Sequence, residues 1–146
     1  MNDLEKAKEI FKTGELNCVL CKDDVTYTST KNGVAPLIEW LTSGVNVTGF
    51  SAADKIVGKA AALLFVLGGV KEVYSPVMSK TAVDVFVRCG VTAEYETLVP
   101  IIINRTGTGP CPMEQAVTNV ENPSEALKAI QNTLADLQSR GKERKQ

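Results

Sequence analysis

Hydrophobic residues recur along the first part of this chain at two different spacings. Over residues 3–13 they recur every three or four positions, which is typical of an amphipathic helix, and Gly14 follows as a stop signal. Two shorter apolar or β-branched segments, 16–21 and 25–30, are typical of strands, and the polar tripeptide between them favours a tight turn. The pattern therefore predicts a helix followed by a β-hairpin.

The longest apolar run lies in the segment 51–70. Every residue over 60–67 is apolar, which predicts a helix buried on all sides, and the Gly-Gly pair at 68–69 ends it. We expect this central helix to begin with Ser51 as its N-cap. Gly58 would then lie inside a helix at a cost of about 1 kcal/mol relative to Ala, so we expect close packing or a ligand there.

Periodicity and turn signals predict the remaining elements in alternation. They are a helix at 34–43, strands at 45–50, 72–76 and 93–103, a helix from Ser79 to Gly90, and helices at 111–117 and 123–137. Pro100 is a point at which the 93–103 strand region can divide into two. This order indicates an α/β fold in three α/β/α layers, with a mixed sheet of about five strands. We expect one domain over 1–138 and a solvated basic tail over 139–146.

Composition excludes several classes of function. The formal net charge of −1 argues against a nucleic-acid-binding protein, which would present a basic face. The N-terminal segment is charged and amphipathic, unlike a signal peptide, and the apolar run is too short to span a bilayer. We therefore expect a cytoplasmic protein that binds neither nucleic acid nor membrane.

The chain has no histidine, so the commonest general base and the commonest metal ligand are both missing. Its four cysteines are expected to be reduced in the cytoplasm. Cys18 and Cys21 have the CxxC spacing, but residues three apart on a strand point to opposite faces. We therefore expect both to pack in the core, and we predict no metal and no cofactor.

We expect three loops to meet at the carboxyl ends of the parallel strands, where α/β folds bind ligands. Cys111, just before Pro112, is the candidate nucleophile or redox thiol, with a half-buried cysteine in a helix cap as the alternative. Asp54 is the candidate acid or base, with helix capping as the alternative. The candidate ligand-binding residues are Lys55, Ser79, Lys80, Asn104, Arg105 and Glu114.

The order of elements resembles the cytidine deaminase-like fold. In that fold a helix after the first hairpin carries a zinc ligand and a proton-transferring Glu, and a later strand–helix junction carries Pro-Cys-x-x-Cys. The corresponding positions here read Ser51-Ala52-Ala53-Asp54 and Ser75-Pro76-Val77-Met78-Ser79. The resemblance thus implies a deaminase-like domain without zinc, in which Asp54 takes the place of the Glu.

Two segments are similar to the prokaryotic family called domain of unknown function 1893. They are DKIVGKAAALL at 54–64 and INRTGTGPCPMEQAV at 103–117. That resemblance covers nearly the whole chain and implies a deaminase-like fold without the zinc site, but it brings no activity with it.

We therefore expect a zinc-free α/β domain that binds a small polar or anionic ligand, a nucleotide or nucleoside being one form of it. If the protein is an enzyme, Cys111 and Asp54 carry the chemistry, while Lys55 and Arg105 hold the anionic part of the substrate. The alternatives are a non-catalytic domain that senses a ligand or binds a protein partner, and a redox-responsive protein acting through Cys111. A homo-oligomer is compatible with each of these.

Overall fold

The computed structural model describes residues 1–104 and 106–144, with side chains described as far as residue 139. The helices of this part are α1 (Asp3–Thr13), α2 (Ala35–Thr42), α3 (Lys59–Gly68), α4 (Lys80–Cys89), α5 (Pro112–Ala116) and α6 (Pro123–Arg144). The strands are β1 (Cys18–Lys22), β2 (Val25–Ser29), β3 (Ser51–Asp54), β4 (Ile56–Val57), β5 (Glu72–Ser79) and β6 (Thr92–Val99). No helix in this part is both long enough and apolar enough to cross a membrane.

The strands form one mixed sheet, as predicted. β1 pairs antiparallel with β2 on one side and with β3 on the other, whereas β3, β4 and β6 all run parallel to β5. β6 occupies one edge of β5 along its full length, so β3 and β4 share the opposite edge. They act as one strand interrupted at Lys55, and the order across the sheet is β2-β1-β3/β4-β5-β6.

Helices cover both faces of the sheet, which gives the expected three layers. α1 packs on β1 and β3, where Leu4 and Ala7 meet Val19, Ala53 and Tyr74. The larger core lies on the other face, between the sheet and α2, α3 and α4, and α6 packs on α3 from outside. α3 is central to that layer because its residues from Ala60 to Phe65 are all buried.

The predicted start of the central helix is wrong. Ser51–Asp54 is the strand β3, and α3 begins only at Lys59 with Gly58 as its N-cap. Ser and Ala have no strong strand propensity, so the strand arises from its position between β1 and β5. Small side chains suit this position because helices cover both faces of β3. The predicted end is confirmed, since Gly69 has a φ of 79° and closes α3.

A proline lies within β5, in the middle of the sheet. β6 pairs with β5 on both sides of Pro76, and the interruption between β3 and β4 lies across from it. The buried Ser75 hydroxyl donates to the carbonyl of Val77 at 2.6 Å. We predicted that β5 ends at residue 76, but it continues to Ser79. Because proline cannot donate a ladder hydrogen bond, the pairing along the edge shared by β3 and β4 is interrupted locally at residue 76.

Three other predictions need correction. Residues 45–50 form no strand, and Gly49 turns the chain there with a φ of 78°. The 93–103 strand region stops at Pro100, the residue expected to be able to break it: β6 ends at Val99, and residue 103 forms only an isolated bridge with Pro110. α6 extends to Arg144, past the predicted end of the helix at 137, while 145–146 lie outside the described residues. Helix α1, the β1–β2 hairpin and helices α2, α4 and α5 match their predictions to within a few residues.

Candidate functional site

A cavity of about 390 Å³ opens where β3 ends and α3 begins. Its polar wall consists of Asn17, Asn32, Asp54, Lys55, Cys111 and Glu114. Its apolar wall includes Val34, Ala60, Ala61, Ile102, Met113 and Leu134. A mostly apolar cavity with a few convergent polar groups is the usual form of a small-molecule site.

Asp54 is the most unusual group in this cavity. The residue is only 4% exposed, and it lies at the end of β3 opposite Cys18 in the antiparallel register. No Lys or Arg among the described residues forms an ion pair with it. Burial raises the pKa of Asp54 to about 8, and the nearby Lys55 backbone N–H only partly offsets that rise. Near neutral pH this side chain is mainly a neutral carboxylic acid.

Glu114 is also buried, but it is fully hydrogen-bonded. Its Oε1 accepts the backbone N–H of Lys59 at 2.7 Å and its Oε2 accepts that of Ala60 at 2.8 Å. The carboxylate therefore caps the positive end of α3, which has no capping side chain of its own because Gly58 precedes it. Burial raises the pKa of Glu114, and these two hydrogen bonds oppose the rise.

Gly58 makes this contact possible. A Cβ at position 58 would lie 2.6 Å from Cδ of Glu114 and 2.8 Å from Cγ1 of Ile102. Its φ of −103° is open to any residue, so the constraint is space and not backbone conformation. The close packing expected at this glycine is thus present, although at the N-cap of α3 and not inside a helix.

Two asparagines form the rim of the cavity beside Asp54. Asn17 Nδ2 donates to the carbonyl of Thr30 at 2.8 Å and to Oδ1 of Asn32 at 3.0 Å. The Asn17 carbonyl accepts the backbone N–H of Lys55 at 3.0 Å, which holds the rim against the β3–β4 interruption. Among the described residues no donor bonds the Asn17 side-chain oxygen, so this oxygen is available to a ligand.

The four cysteines have different environments. Cys18 and Cys21 are fully buried and belong to the cores on opposite faces of the sheet, as the strand geometry predicts. Burial, and then the charge of Asp54, raise the pKa of Cys18 well above its ordinary value. Cys89 is exposed at the end of α4, and Cys111 is half-buried in the cavity wall. Within the described residues, no three Cys, Asp or Glu side chains are grouped as metal ligands would be.

The structure brings together Asp54, Lys55, Cys111 and Glu114, but it does not bring the predicted loop at Ser79 and Lys80 to them. Ser79 is buried as the N-cap of α4, where its Oγ accepts the N–H of Ala82 at 3.1 Å. The neighbouring Lys80 is exposed, and neither residue lines the cavity.

Asn104 and Arg105, in the segment after β6, were also predicted to bind the ligand. Asn104 bonds within its own loop, to Thr106 and Thr108, and does not line the cavity. Arg105 lies outside the described residues.

Sequence reasoning missed Asn17, Asn32, Ile102, Met113 and Leu134 as cavity residues. Asn17 directly precedes β1, which runs antiparallel to β3, so the start of β1 lies beside the end of β3. Assigning 51–54 to a strand would have placed Asn17 next to Asp54 by register alone.

The contact between Gly58 and Glu114 gives a first prediction. We expect Gly58→Ala to lower the free energy of unfolding by about 2 kcal/mol, because the new methyl group displaces the carboxylate and frees two buried N–H groups. Gly109→Ala is the matched control, since a Cβ there meets nothing within 4 Å. In a Glu114→Ala background the cost of Gly58→Ala should shrink. Equal costs in both backgrounds, measured by urea unfolding, would contradict the proposed clash.

Asp54 gives a second prediction, on pH. A group whose pKa is raised in the folded protein binds its proton more tightly there, so its contribution to stability falls as pH rises from about 4 to about 8. Asp54→Asn removes this loss. We expect the free energy of unfolding of the variant, relative to that of wild type, to increase by at least about 1.4 kcal/mol between pH 4.5 and pH 8, which is the equivalent of one pKa unit.

Urea unfolding at several pH values measures this difference directly. Asp24→Asn is the control, because Asp24 is exposed in the turn between β1 and β2. If the difference between wild type and Asp54→Asn stays constant over this pH range, the pKa of Asp54 is not raised.

Comparison with known proteins identifies the family. A family model described as a domain of unknown function (DUF1893) matches residues 6–134. The crystal structure of a DUF1893 family protein from Thermotoga maritima matches with a TM-score of 0.82 and 26% sequence identity, over 90% of this chain and 89% of that one. No curated protein matches the chain. The resemblance to this family in the sequence is confirmed, and the chain belongs to the DUF1893 family.

Proposed function

We propose that this protein is a zinc-free domain of cytidine deaminase-like fold that binds a small polar ligand in the cavity beside Asp54. The fold proposal draws on the mixed sheet order β2-β1-β3/β4-β5-β6 between helical layers. Ser51–Asp54 is a strand, so Asp54 does not lie on a helix as the family Glu would. The ligand is therefore proposed from the cavity itself and not from that correspondence.

One observation carries the proposal of ligand binding. A carboxyl group that is 4% exposed lines a cavity of about 390 Å³ whose other walls are largely apolar. A carboxyl group kept in such a place with no charged partner weakens the fold as pH rises, and groups of this kind concentrate at functional sites. Asp54 would orient the ligand, while Asn17 and Asn32 would bond its polar edge.

The charges around the cavity favour a neutral or basic ligand over the anionic one expected at first. Glu114 already bonds the N–H groups that begin α3, and these are the groups that would otherwise attract an anion. An anion would also face Asp54. Lys55 is the cation among the described lining residues, and it is exposed.

A fragment screen monitored by NMR tests this proposal. We expect binding fragments to shift the amide signals of Gly58, Ala60 and Ala61, and Ala61→Leu to weaken that binding at least tenfold by filling the cavity. A second cavity of about 370 Å³, lined by Thr28, Trp40 and others, provides the control. Thr28→Leu fills the second cavity instead and should leave binding beside Asp54 unchanged. Fragments that shift only the Trp40 indole signal would contradict the proposal.

A second candidate function is nucleophilic or redox chemistry at Cys111, because this half-buried thiol lines the same cavity as Asp54. In a chain without histidine, Asp54 is the candidate base of this cavity, because both carboxylate oxygens of Glu114 already accept backbone N–H groups.

Alkylation of the native protein, mapped by mass spectrometry, tests this second candidate. We expect Cys18 and Cys21 to react only after unfolding, because both are fully buried. Cys89 is an internal reference for an exposed thiol. Catalytic chemistry predicts that Cys111 reacts at least about tenfold faster than Cys89, and that Asp54→Asn slows it. A Cys111 slower than Cys89 and indifferent to Asp54→Asn would rule this function out.

A further inference from the structure

We propose that the cavity beside Asp54 selects an organic cation, in which an apolar body carries an amidinium, guanidinium or ammonium group that pairs with the Asp54 carboxylate. This inference rests on the proposed function, since it names the class of ligand for the same cavity.

The first argument is the missing partner of Asp54. Buried carboxylates in proteins are almost always paired with a cation or saturated with hydrogen bonds, because desolvation of the charge is otherwise too costly. Asp54 has no ion-pair partner among the described residues, and the neighbouring Lys55 backbone N–H already donates to the Asn17 carbonyl. A cationic ligand would supply the positively charged partner that this carboxyl group does not have among the described residues. Binding would then ionise Asp54 and release its proton.

The second argument is the set of charges that surround Asp54. On β1, Cys18 faces it as a buried thiol whose pKa is raised, so this group stays neutral. On α5, Glu114 brings a second carboxylate to the cavity wall. On α3, Lys59 directs its Nζ to the carbonyl of Thr118 and to Glu121, both at 3.3 Å. Lys55, next in the chain, is exposed to solvent. The described groups thus give the interior of the cavity a negative potential once Asp54 ionises.

The third argument is the shape of the polar edge. Asn17 uses both of its amide N–H groups within the rim, and its side-chain oxygen remains available as an acceptor. A carboxylate beside an amide oxygen presents acceptors to the ligand, which suits a planar group that carries several N–H donors. The apolar walls formed by Ala60, Ala61 and Met113 suit a flat or aliphatic body.

Three probes of nearly equal shape test the charge directly: benzamidine, benzamide and benzoate, each titrated by NMR and calorimetry from pH 5.5 to pH 9. Benzamidine should bind. Its affinity should increase about tenfold per pH unit as the pH is raised from 5.5 to about 8, and should level off above that, because Asp54 must lose its proton. In calorimetry near pH 6.5, two buffers of different ionisation enthalpy should show about one proton released per benzamidine bound. Benzamide should bind weakly with no such pH dependence, and benzoate should not bind.

Asp54→Asn is the matched variant, and it should weaken benzamidine binding at least tenfold while leaving benzamide binding unchanged. Asp24→Asn should change neither. The titrations of the wild-type protein test the inference even if Asp54→Asn does not fold.

The inference is overturned if benzamide or benzoate binds as tightly as benzamidine at pH 8, if benzamidine binding does not depend on pH, or if none of the three binds at millimolar concentration at that pH. These failures remain distinct from failure of the proposed function. A neutral fragment that shifts Ala60 and Ala61 would keep the cavity as a binding site and refute only the cationic class.

Discussion

A carboxylate placed on the first N–H groups of a buried helix is the contact on which this domain most depends. α3 is apolar almost throughout and lies at the centre of the larger core, so unbonded N–H groups at its start would be costly. Glu114 satisfies two of them, from 55 and 54 positions further along the chain. The same contact attaches the segment after β6 to the core, and with it the cavity wall formed by Ile102 and Cys111.

The interruption of the sheet opposite Pro76 is the second constraint, and it gives the cavity its place. β3 stops at Asp54 and pairing resumes at Ile56, so the backbone at Lys55 bonds Asn17 and leaves the regular ladder. The residues on either side of the break, Asp54 and Ile56, line the cavity together with Gly58 and Ala60 at the start of α3.

Asp54 and Glu114 both carry a buried carboxyl group, but their different surroundings give the two groups different roles. Both are buried and both have a raised pKa, with burial as the main cause. Glu114 recovers much of its lost hydration through two strong main-chain hydrogen bonds, which makes it a structural group. Asp54 has no comparable compensation, and its pKa rises to about 8. A group held in this state is suited to exchange a proton or to meet a charged partner, and this difference is what distinguishes the candidate site from an ordinary buried cap.

Local sequence determined a large part of this protein. The amphipathic spacing of α1, the turn between β1 and β2, the Ser79 cap of α4 and the αL glycine after α3 each depend on neighbours in the chain, and each is present in the structure. Sequence also indicated Asp54, Lys55, Cys111 and Glu114 as residues of one site, and all four line one cavity.

Only the tertiary structure decided the remainder, because it depends on pairing between distant segments. Ser51–Asp54 has small residues with little preference of their own, and its neighbours β1 and β5 make it a strand. That assignment moves the start of α3 to Lys59, brings Asn17 beside Asp54 and leaves Ser79 and Lys80 away from the cavity. The role of Glu114 as a cap for α3 likewise requires a contact across 54 positions, which no local pattern contains. Burial and long-range pairing, and not residue type, set the chemistry of the two carboxyl groups.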